Sequence, residues 1–503
     1  MSSPQDGVRI PVEHPTLCSA FVILAALLYS IDWTIAAVAL PHMRGSFSAT
    51  QDQISWVITS YIVASAIVIP TSGFMSARFG RKRVFAGAVA GFTAASVLCG
   101  AADSLEVEVV ARVIQGVSGS FIIPLSQSII LDTYPPEKHT RMMGFWGVGA
   151  VFGPVIGPTL GGYLTEHLDW RWIFYINVPI GLVALAGVLA FLPESKREPG
   201  KRLDLFGFLT LALGVGALQM VFDRGERHDW FESAEILMEA GLGMLGLYLF
   251  AAHSLTTRNP FLDPRLLLMR GYALGLAFVF LYGMITVPPM VLMPPFMQDL
   301  RGMPIETVGL LQSPRGLGLV LSMLCGSLFT NALGPRLLIG VGFGLLAIAG
   351  LEMSTWNLDV GAWPIVWTGF LQGAGAGIIW VPLQALIFPS LPPAQRTEAA
   401  AVLNLVRSVG SSIGVSLALT LLTRSTTQAR AAMVEHVTPY NSIMRQADVA
   451  RSWDLNSVAG LAQAQKQVEM QASMIGYNAD FLWLALAALL AFPLLLLISK
   501  PKP

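Results

Sequence analysis

Four ionisable residues lie inside long apolar runs of the sequence: Asp32, Arg112, Arg315 and Arg407. An ionisable side chain in such a run costs about 3 kcal/mol on membrane-insertion scales, so each of the four is a candidate functional residue. Asp32 stands in LYSIDWTIAAVALP, where a carboxylate held away from water can exchange protons near neutral pH. The alternative interpretation of Asp32 is a hydrogen-bonded structural residue that caps a bend.

Arg112 stands in the run ARVIQGVSGS and shares a helical face with Gln115, Gly116 and Gly119. The small residues let another helix approach closely, and the arginine then needs an acceptor or a water-filled cavity. This pattern predicts either a position beside a polar path through the membrane or a structural ion pair.

The two arginines of the second half of the chain have polar neighbours on their helical faces. Arg315 stands in LLQSPRGLG with Gln312 three residues before it, and Arg407 stands in LNLVRSVGSSIG with Asn404 three residues before it. Each arginine either lines a cavity or ties a helix end to a neighbouring helix. Their positions on helical faces make four further residues candidates for lining a cavity: Tyr29, Trp33, Gln115 and Trp380. Aromatic residues in membrane proteins more often mark interfaces or packing.

The elements that position these residues are transmembrane helices. The chain is 54% hydrophobic and only 12% charged, whereas a soluble domain carries about 25% charged residues. Its net charge of zero gives no indication of nucleic-acid binding. A helix that crosses a bilayer needs about twenty apolar residues. On that basis the sequence predicts fourteen spans, near 16–40, 53–75, 83–102, 107–131, 142–164, 172–192, 204–222, 234–253, 271–297, 306–330, 336–353, 363–388, 399–422 and 479–498.

The placement of basic residues predicts the orientation of these spans. Most Lys and Arg fall on one side, and the short loops of the other side hold only Arg44, Arg171, Arg224, Arg227 and Arg301. By the positive-inside rule, both termini are predicted to be cytoplasmic. Carboxylates at span ends, such as Asp132, are expected on solvated faces. Cys18, Cys99 and Cys325 lie in apolar runs and are predicted to be packing residues.

One long loop, at about 424–478, falls on the outer side before the last span. Its stretch SVAGLAQAQKQVEMQASMIGY lacks proline and predicts a helix. The loop is either a helical extension of the final span or a docking surface for an outside partner.

Glycine and proline mark places where spans approach closely or bend. Four glycines of the fifth span recur at intervals of four, which predicts a close-packed stripe, and two prolines beside them loosen the helix. These residues are Gly149, Gly153, Pro154, Gly157, Pro158 and Gly161. In the ninth span, VPPMVLMPPFM predicts an irregular segment.

Enzymatic chemistry has no support in the sequence. The seven histidines are scattered, no metal-ligand spacing occurs, and no phosphate-binding loop indicates ATP hydrolysis. We therefore expect neither catalysis nor a bound metal or cofactor.

Several motifs together resemble the major facilitator superfamily, specifically its fourteen-span drug:proton antiporters of the Emr and Qac type. The loop GFMSARFGRKR is similar to the cytoplasmic signature of the superfamily through Gly73, Arg78, Gly80 and Arg81, with Ala77 in place of its usual acid. The glycine–proline run of the fifth span is similar to the antiporter signature. Further similar motifs contain Asp32, Thr34, Leu40, Pro41, Arg112, Gln115 and Gly116.

The resemblance implies an all-α integral membrane protein with fourteen helices. They would form two six-helix bundles, 16–192 and 271–498, two inserted helices in 203–253, and the outer loop 424–478 within the last bundle. It further implies proton-coupled export of hydrophobic drugs from a bacterial inner membrane, driven by the proton gradient, with Asp32 and Arg112 in proton coupling.

A periplasmic adaptor and an outer-membrane channel would be partners in an Emr-type system. An exporter of an endogenous metabolite, lipid or siderophore would carry the same signatures and stays the alternative.

Overall fold

The computed structural model describes residues 13–195, 197–198, 200, 202–388, 391–392, 395–438, 440–441 and 457–498. All regular structure in these residues is helical, as the sequence predicts. The first half comprises α1 (Pro15–Ser46), α2 (Gln51–Val68), α3 (Ser72–Phe79), α4 (Arg81–Gly100), α5 (Leu105–Gly119), α6 (Ile122–Thr133), α7 (Pro136–His167), α8 (Trp172–Tyr175) and α9 (Asn177–Phe191).

The remainder begins with a helix pair, α10 (Leu205–Arg224) and α11 (Ala234–Thr256). The second half then comprises α12 (Arg265–Leu268), α13 (Arg270–Thr286), α14 (Pro288–Pro295), α15 (Ile305–Leu333), α16 (Pro335–Met353), α17 (Ala362–Ile387), α18 (Arg396–Val434), α19 (Val458–Leu489) and α20 (Ala491–Leu495).

Within the described residues, thirteen helical segments are long and apolar enough to cross a membrane. The fifth predicted span, 142–164, lies in α7, a helix of 32 residues that would measure about 48 Å. The chain is therefore a multi-pass membrane protein, and its architecture is compatible with the predicted fourteen spans.

Local sequence explains where several helices begin and break. The Thr50 hydroxyl and the Gln53 side chain form a capping box that starts α2. Gly80 has a φ of +92°, which only glycine adopts without strain, and it separates α3 from α4. The predicted irregularity of the ninth span is confirmed, because α13 ends at Thr286 and α14 begins at Pro288.

The helical interpretation of the outer loop is also confirmed. Helix α18 extends to Val434 and α19 begins at Val458, so both continue past the predicted span ends at 422 and 479. They pack on each other there: a Cβ built on Gly476 would touch the Thr426 hydroxyl, and Arg430 lies 3.5 Å from Glu469. Residue 439 and residues 442–456 of this loop lie outside the described residues.

The helices of each half pack mainly on one another. In the first half α1 packs on α7 and α9, and α5 packs on α2 and α4. In the second half α15 and α16 pack on α17, and α18 packs on α13 and α19. Helix α10 packs on α11 and lies against α2 and α18. The main contacts between halves are α6–α18 and α7–α15. The bundle boundaries 16–192, 203–253 and 271–498 remain predictions.

The prediction that all three cysteines are packing residues is wrong for Cys325. Cys18 and Cys99 are buried, but Cys325 is exposed. A thiol is small and apolar enough to stand on the outer surface of a membrane helix, so an apolar run alone cannot distinguish the two environments.

Candidate proton and substrate sites

The structure brings Asp32 and Arg112 together in the interior of the first half. Asp32 on α1 and Arg112 on α5 are both completely buried, and Arg112 Nη1 donates to Asp32 Oδ2 at 2.8 Å. Asp32 Oδ1 accepts from Gln115 Nε2 at 2.9 Å and from Asn177 Nδ2 at 2.8 Å. Ser96 on α4 accepts from Gln115 at 2.8 Å, and α2 packs on α5 beside the arginine. With Asp32 on α1, Arg112 on α5 and Asn177 on α9, five helices therefore meet at this pair.

The Arg112 guanidinium is held from several directions. Its Nε donates to the Val57 carbonyl at 3.0 Å and its Nη1 to Gln115 Oε1 at 2.6 Å. The guanidinium carbon lies 4.5 Å from the centre of the Tyr61 ring and 5.6 Å from that of Phe174. Such cation–π contacts are strongest where water is excluded. Because the pair is fully desolvated, adding a proton to Asp32 leaves a buried positive charge without its counter-ion.

Two residues of this region were missed at the level of sequence. Glu108 is completely buried four residues before Arg112, and neither carboxylate oxygen has a hydrogen-bond partner among the described residues. Arg112, Asp32, Cys99 and Arg171 are within electrostatic reach of it. Its i, i+4 spacing to Arg112 was the available signal. Asn177 is the first residue of α9, and nothing in its local sequence points to Asp32.

A second group of polar residues lies inside the second half. Arg315 and Gln372 line two small adjoining cavities, and Gln312 lines one of them. Arg315 Nη2 donates at 2.5 Å to the carbonyl of Thr286, at the break between α13 and α14. Arg315 therefore ties α15 to a helix end and lines two small cavities, while its assignment to a substrate cavity stays a prediction.

Arg407 belongs to the same region. It is half-buried, and Tyr282 on α13 lies within electrostatic reach of both Arg407 and Arg315. The Tyr282 ring packs against Trp380, with ring centres 5.3 Å apart. Trp380 is 5% exposed, and its indole nitrogen has no hydrogen-bond partner among the described residues.

The other cavity candidates lie elsewhere. Tyr29 packs beside Tyr61 and Phe92 within the first half. Asn404 is buried and donates to Gln127 Oε1 at 2.9 Å, so it joins the two halves instead of lining the Arg315 cavities. The side chain of Trp33 is outside the described part of the chain.

The halves are also joined by charge on the predicted cytoplasmic side. Asp132, at the end of α6, pairs with Arg81 of the first half and accepts from Arg396 Nη1 of the second half at 3.0 Å. We call these three residues the Asp132 clamp. The expectation that Asp132 lies on a solvated face is wrong: its side chain is 7% exposed, because two arginines from distant segments cover it. Ser128 and Thr397 add a contact of 2.7 Å.

The remaining residues of the GFMSARFGRKR loop stand beside the clamp. A Cβ on Gly73 would lie 3.0 Å from the Glu398 side chain, so this glycine lets α3 approach α18. A Cβ on Gly80 would overlap the Glu194 carboxylate. The Arg78 guanidinium lies 5.8 Å from the centre of the Phe79 ring.

The glycine stripe of α7 packs closely on a neighbouring helix, as the four-residue spacing predicts, and the structure shows that this helix is α1. A Cβ on Gly153 would lie 2.4 Å from the Ser30 carbonyl carbon, and one on Gly157 would overlap the Thr34 hydroxyl. Gly149 and Gly161 face Ile23 and Ile35 in the same way. Helix α7 continues through this stretch without a break; the side chains of Pro154 and Pro158 are outside the described residues.

Comparison with known proteins agrees with this architecture. A sequence model of the Major Facilitator Superfamily matches residues 22–415. The chain is 34% identical to the multidrug export protein EmrB of Haemophilus influenzae over 95% of this chain and 94% of that protein. It is 32% identical to EmrB of Escherichia coli strain K12 over 99% and 97%.

Among solved structures, the human organic anion transporter MFSD10 has the same fold, with a TM-score of 0.64 at 16% identity over 96% of this chain and 99% of that one. The helical architecture and these matches show that the chain belongs to the major facilitator superfamily.

Proposed function

We propose that this chain is a proton-coupled exporter of lipophilic small molecules in a bacterial cytoplasmic membrane. The observation that carries the proposal is the completely buried ion pair between Asp32 and Arg112. Two relatives that match nearly the whole chain are named multidrug export proteins, which supports the outward direction and a varied apolar cargo. The proton gradient would supply the driving force, and the chain would act as a transporter and not as an enzyme.

The coupling step follows from the charge balance of the pair. Removing one partner of a buried ion pair destabilises that arrangement by about 3–5 kcal/mol. A proton on Asp32 would therefore disfavour the present packing around Arg112 and favour a conformation in which the guanidinium finds water or another acceptor. A ligand shifts a conformational equilibrium only through such differential binding.

The Asp132 clamp would close the cytoplasmic side while the two halves rock against each other. This assignment uses the predicted topology, in which both termini are cytoplasmic. The paired extensions of α18 and α19 would then project outward, where a periplasmic adaptor linked to an outer-membrane channel could bind them.

The test uses purified protein in proteoliposomes with an imposed pH gradient and an acridine dye that reports it. Adding a transported compound from a panel of lipophilic cations, neutral molecules and anions should dissipate the gradient. Asp32→Asn and Arg112→Ala should abolish this response while the protein stays folded. Asp169→Asn, which removes an exposed outer pair with Arg171, is the matched control and should respond like the wild type.

Normal proton movement in both Asp32→Asn and Arg112→Ala would refute the coupling assignment. A wild-type protein that moves no compound of any class in exchange for protons would refute antiport itself.

A further inference from the structure

The buried group around Arg112 contains one carboxylate more than its ion pair needs. Asp32 pairs with Arg112 at 2.8 Å, and Glu108 stands four residues before Arg112 on the same helix. Residues at this spacing share a helical face, with about 5–6 Å between their Cβ atoms. Both carboxylates are completely buried and within electrostatic reach of the guanidinium. One arginine therefore has two acids beside it, and the structure shows it bound to one of them.

The hydrogen bonds of Asp32 identify it as the ionised acid. Its two oxygens accept from Arg112, Gln115 and Asn177. The orientation of the Gln115 amide is fixed, because its Oε1 accepts from Arg112 and its Nε2 must then face Asp32. A protonated carboxyl would need an acceptor for its own O–H, whereas all three of these partners are donors.

Glu108 has the opposite environment. Neither of its oxygens has a hydrogen-bond partner among the described residues. If Glu108 were also ionised, two buried negative charges would share the single positive charge of Arg112. An ionised carboxylate without a partner is far more costly to bury than a neutral carboxyl. The charge balance of the group therefore has room for one proton, and Glu108 is the site for it.

Glu108 lies on the side of the ion pair that faces outer water in the predicted topology. Asp103, just before α5, is exposed. At about 1.5 Å per residue, Glu108 stands about 4–5 Å along α5 and Arg112 about 10 Å. Arg171, which pairs with Asp169 in the outer loop before α8, is also within electrostatic reach of Glu108. Glu108 thus lies between the outer surface and the Asp32–Arg112 pair.

The ionisable groups around Glu108 and Arg112 come from several neighbouring segments. They are Asp32 of α1, Tyr61 of α2, Cys99 of α4 and Arg171 of the outer loop. The Cys99 thiol donates to Gln115 Oε1 at 3.7 Å, and Gln115 donates to Asp32 at 2.9 Å. Polar groups therefore bridge the space between the two acids.

We propose that Glu108 relays protons from the outer side to Asp32, and that its carboxylate then replaces Asp32 as the counter-ion of Arg112. In the transfer the O–H bond of Glu108 breaks and an O–H bond forms on Asp32. The negative charge moves from Asp32 to Glu108, and the buried group keeps the same total charge. The inference rests on the proposed export function and deepens its coupling step.

The exchange of partners gives Arg112 the second acceptor that the coupling step requires. Its guanidinium turns from α1 to an acid on its own helix, so α1 loses its ionic tie to α5. Asp32 then releases its proton toward the cytoplasm, and Glu108 takes up the next proton from outer water. Protons enter at one acid and leave from the other, and each position of the charge favours a different packing of α1.

Infrared spectroscopy in lipid nanodiscs at neutral pH tests the exchange of partners without a transport assay. A protonated carboxyl has a C=O stretching band that an ionised one lacks. The wild-type spectrum minus that of Glu108→Gln should therefore contain an acid band. The same subtraction in an Asp32→Asn background should contain none, because Arg112 then holds the Glu108 carboxylate as its ionised partner.

Asp480 provides the matched spectral control. It is a completely buried acid of the second half, and neither of its oxygens has a hydrogen-bond partner among the described residues. The signal that Asp480→Asn removes should be the same with and without Asp32→Asn. This comparison separates a response of Glu108 from a general change in the protein.

Thermal midpoints of the same variants give a second readout. Glu108→Gln should raise the midpoint of the wild type, because it removes a buried acid without a partner. In the Asp32→Asn background it should lower the midpoint, because it removes the remaining carboxylate within reach of Arg112. Asp32→Asn by itself should fold, since Glu108 replaces the lost counter-ion. A purely structural Glu108 would shift both midpoints in the same direction.

Proteoliposomes test the relay itself. With a compound that the wild type transports, Glu108→Gln should slow the proton-coupled response by at least about tenfold, a modest value for the loss of a proton-transfer group. Exchange of radiolabelled for unlabelled compound should continue, because it requires no proton transfer. Glu106→Gln changes an exposed acid of the same helix and should respond like the wild type.

The inference is overturned by a wild type without a Glu108 acid band, by an acid band that persists in Asp32→Asn, or by midpoint shifts of the same sign. An unfolded Asp32→Asn protein overturns it as well. Normal proton coupling in Glu108→Gln, with coupling lost in Asp32→Asn, removes the relay and leaves the proposed function intact. If the spectra show the exchange of partners while the wild type moves no compound against protons, the exchange stands and the proposed antiport fails.

Discussion

Replacing Asp132 by Asn should open the predicted cytoplasmic side of the protein. The Asp132 carboxylate is 7% exposed and is shared between Arg81 of the first half and Arg396 of the second. Only the Arg396 contact, at 3.0 Å, crosses between halves. Arg81 can keep its partner when the halves separate, so the difference between open and closed states comes from Arg396 alone.

The size of the effect follows from that single contact. A hydrogen bond to a charged group contributes about 1.5–3 kcal/mol net, and partial hydration at this membrane edge brings the difference to about 1–2 kcal/mol. An energy of that size changes a population ratio by a factor of about 5–30. We therefore expect Asp132→Asn to shift the equilibrium toward the cytoplasm-open state by about tenfold.

Disulfide trapping measures this shift. Ser128→Cys with Thr397→Cys introduces a cross-link between halves where the native hydroxyls are 2.7 Å apart, in a background in which the native cysteines are replaced. The cross-linking rate reports the closed population and should fall about tenfold with Asp132→Asn. Asp169→Asn on the outer side should leave it unchanged. An unaltered rate with Asp132→Asn would show that the clamp does not set the conformational balance.

Two further predictions concern packing and burial. Gly153→Val should abolish transport and lower the thermal midpoint, because its Cβ would collide with the α1 backbone at Ser30 and overpacking costs about 1–3 kcal/mol or more. Gly87→Val is the matched control, because no atom lies within 4 Å of an added Cβ there. Equal stability of the two variants would contradict the reasoning. Glu108→Gln should raise the thermal midpoint and increase the free energy of unfolding by about 1–3 kcal/mol, since it removes a buried carboxylate without a hydrogen-bond partner among the described residues. A lower midpoint would show that Glu108 has a stabilising partner.

The spans and their packing were largely accessible from the sequence. Apolar length predicted the helices, the four-residue glycine spacing predicted a close-packed stripe on α7, and the paired prolines predicted an irregular ninth span. These features depend on neighbours a few residues apart, or on helix faces that are fixed by the 3.6-residue repeat. Asp32 and Arg112 were found for a related reason, because an ionisable residue in an apolar run is conspicuous by itself.

The partners of those residues were not accessible in the same way. Asp132 and Arg396 are far apart in the chain, and nothing in either local sequence indicates that α6 and α18 meet. Asp132 also stood at a span end, where solvent is the usual environment of a carboxylate. Glu108 was overlooked because it lies near the start of α5, although the fold buries it completely. Burial at a helix end depends on neighbouring helices and not on local composition.

Helix α7 connects the proposed proton site to the second half of the protein. One of its faces meets α1 at Gly153, directly beside the segment that carries Asp32. Another face meets the second half, where a Cβ on Gly147 would lie 3.2 Å from Met323 and 3.4 Å from the Trp380 ring. Close-packed interiors transmit displacement, because they contain few voids in which a shift can be absorbed. A movement of α1 that followed protonation of Asp32, as proposed above, would therefore change the contact between α7 and Trp380 in the second half.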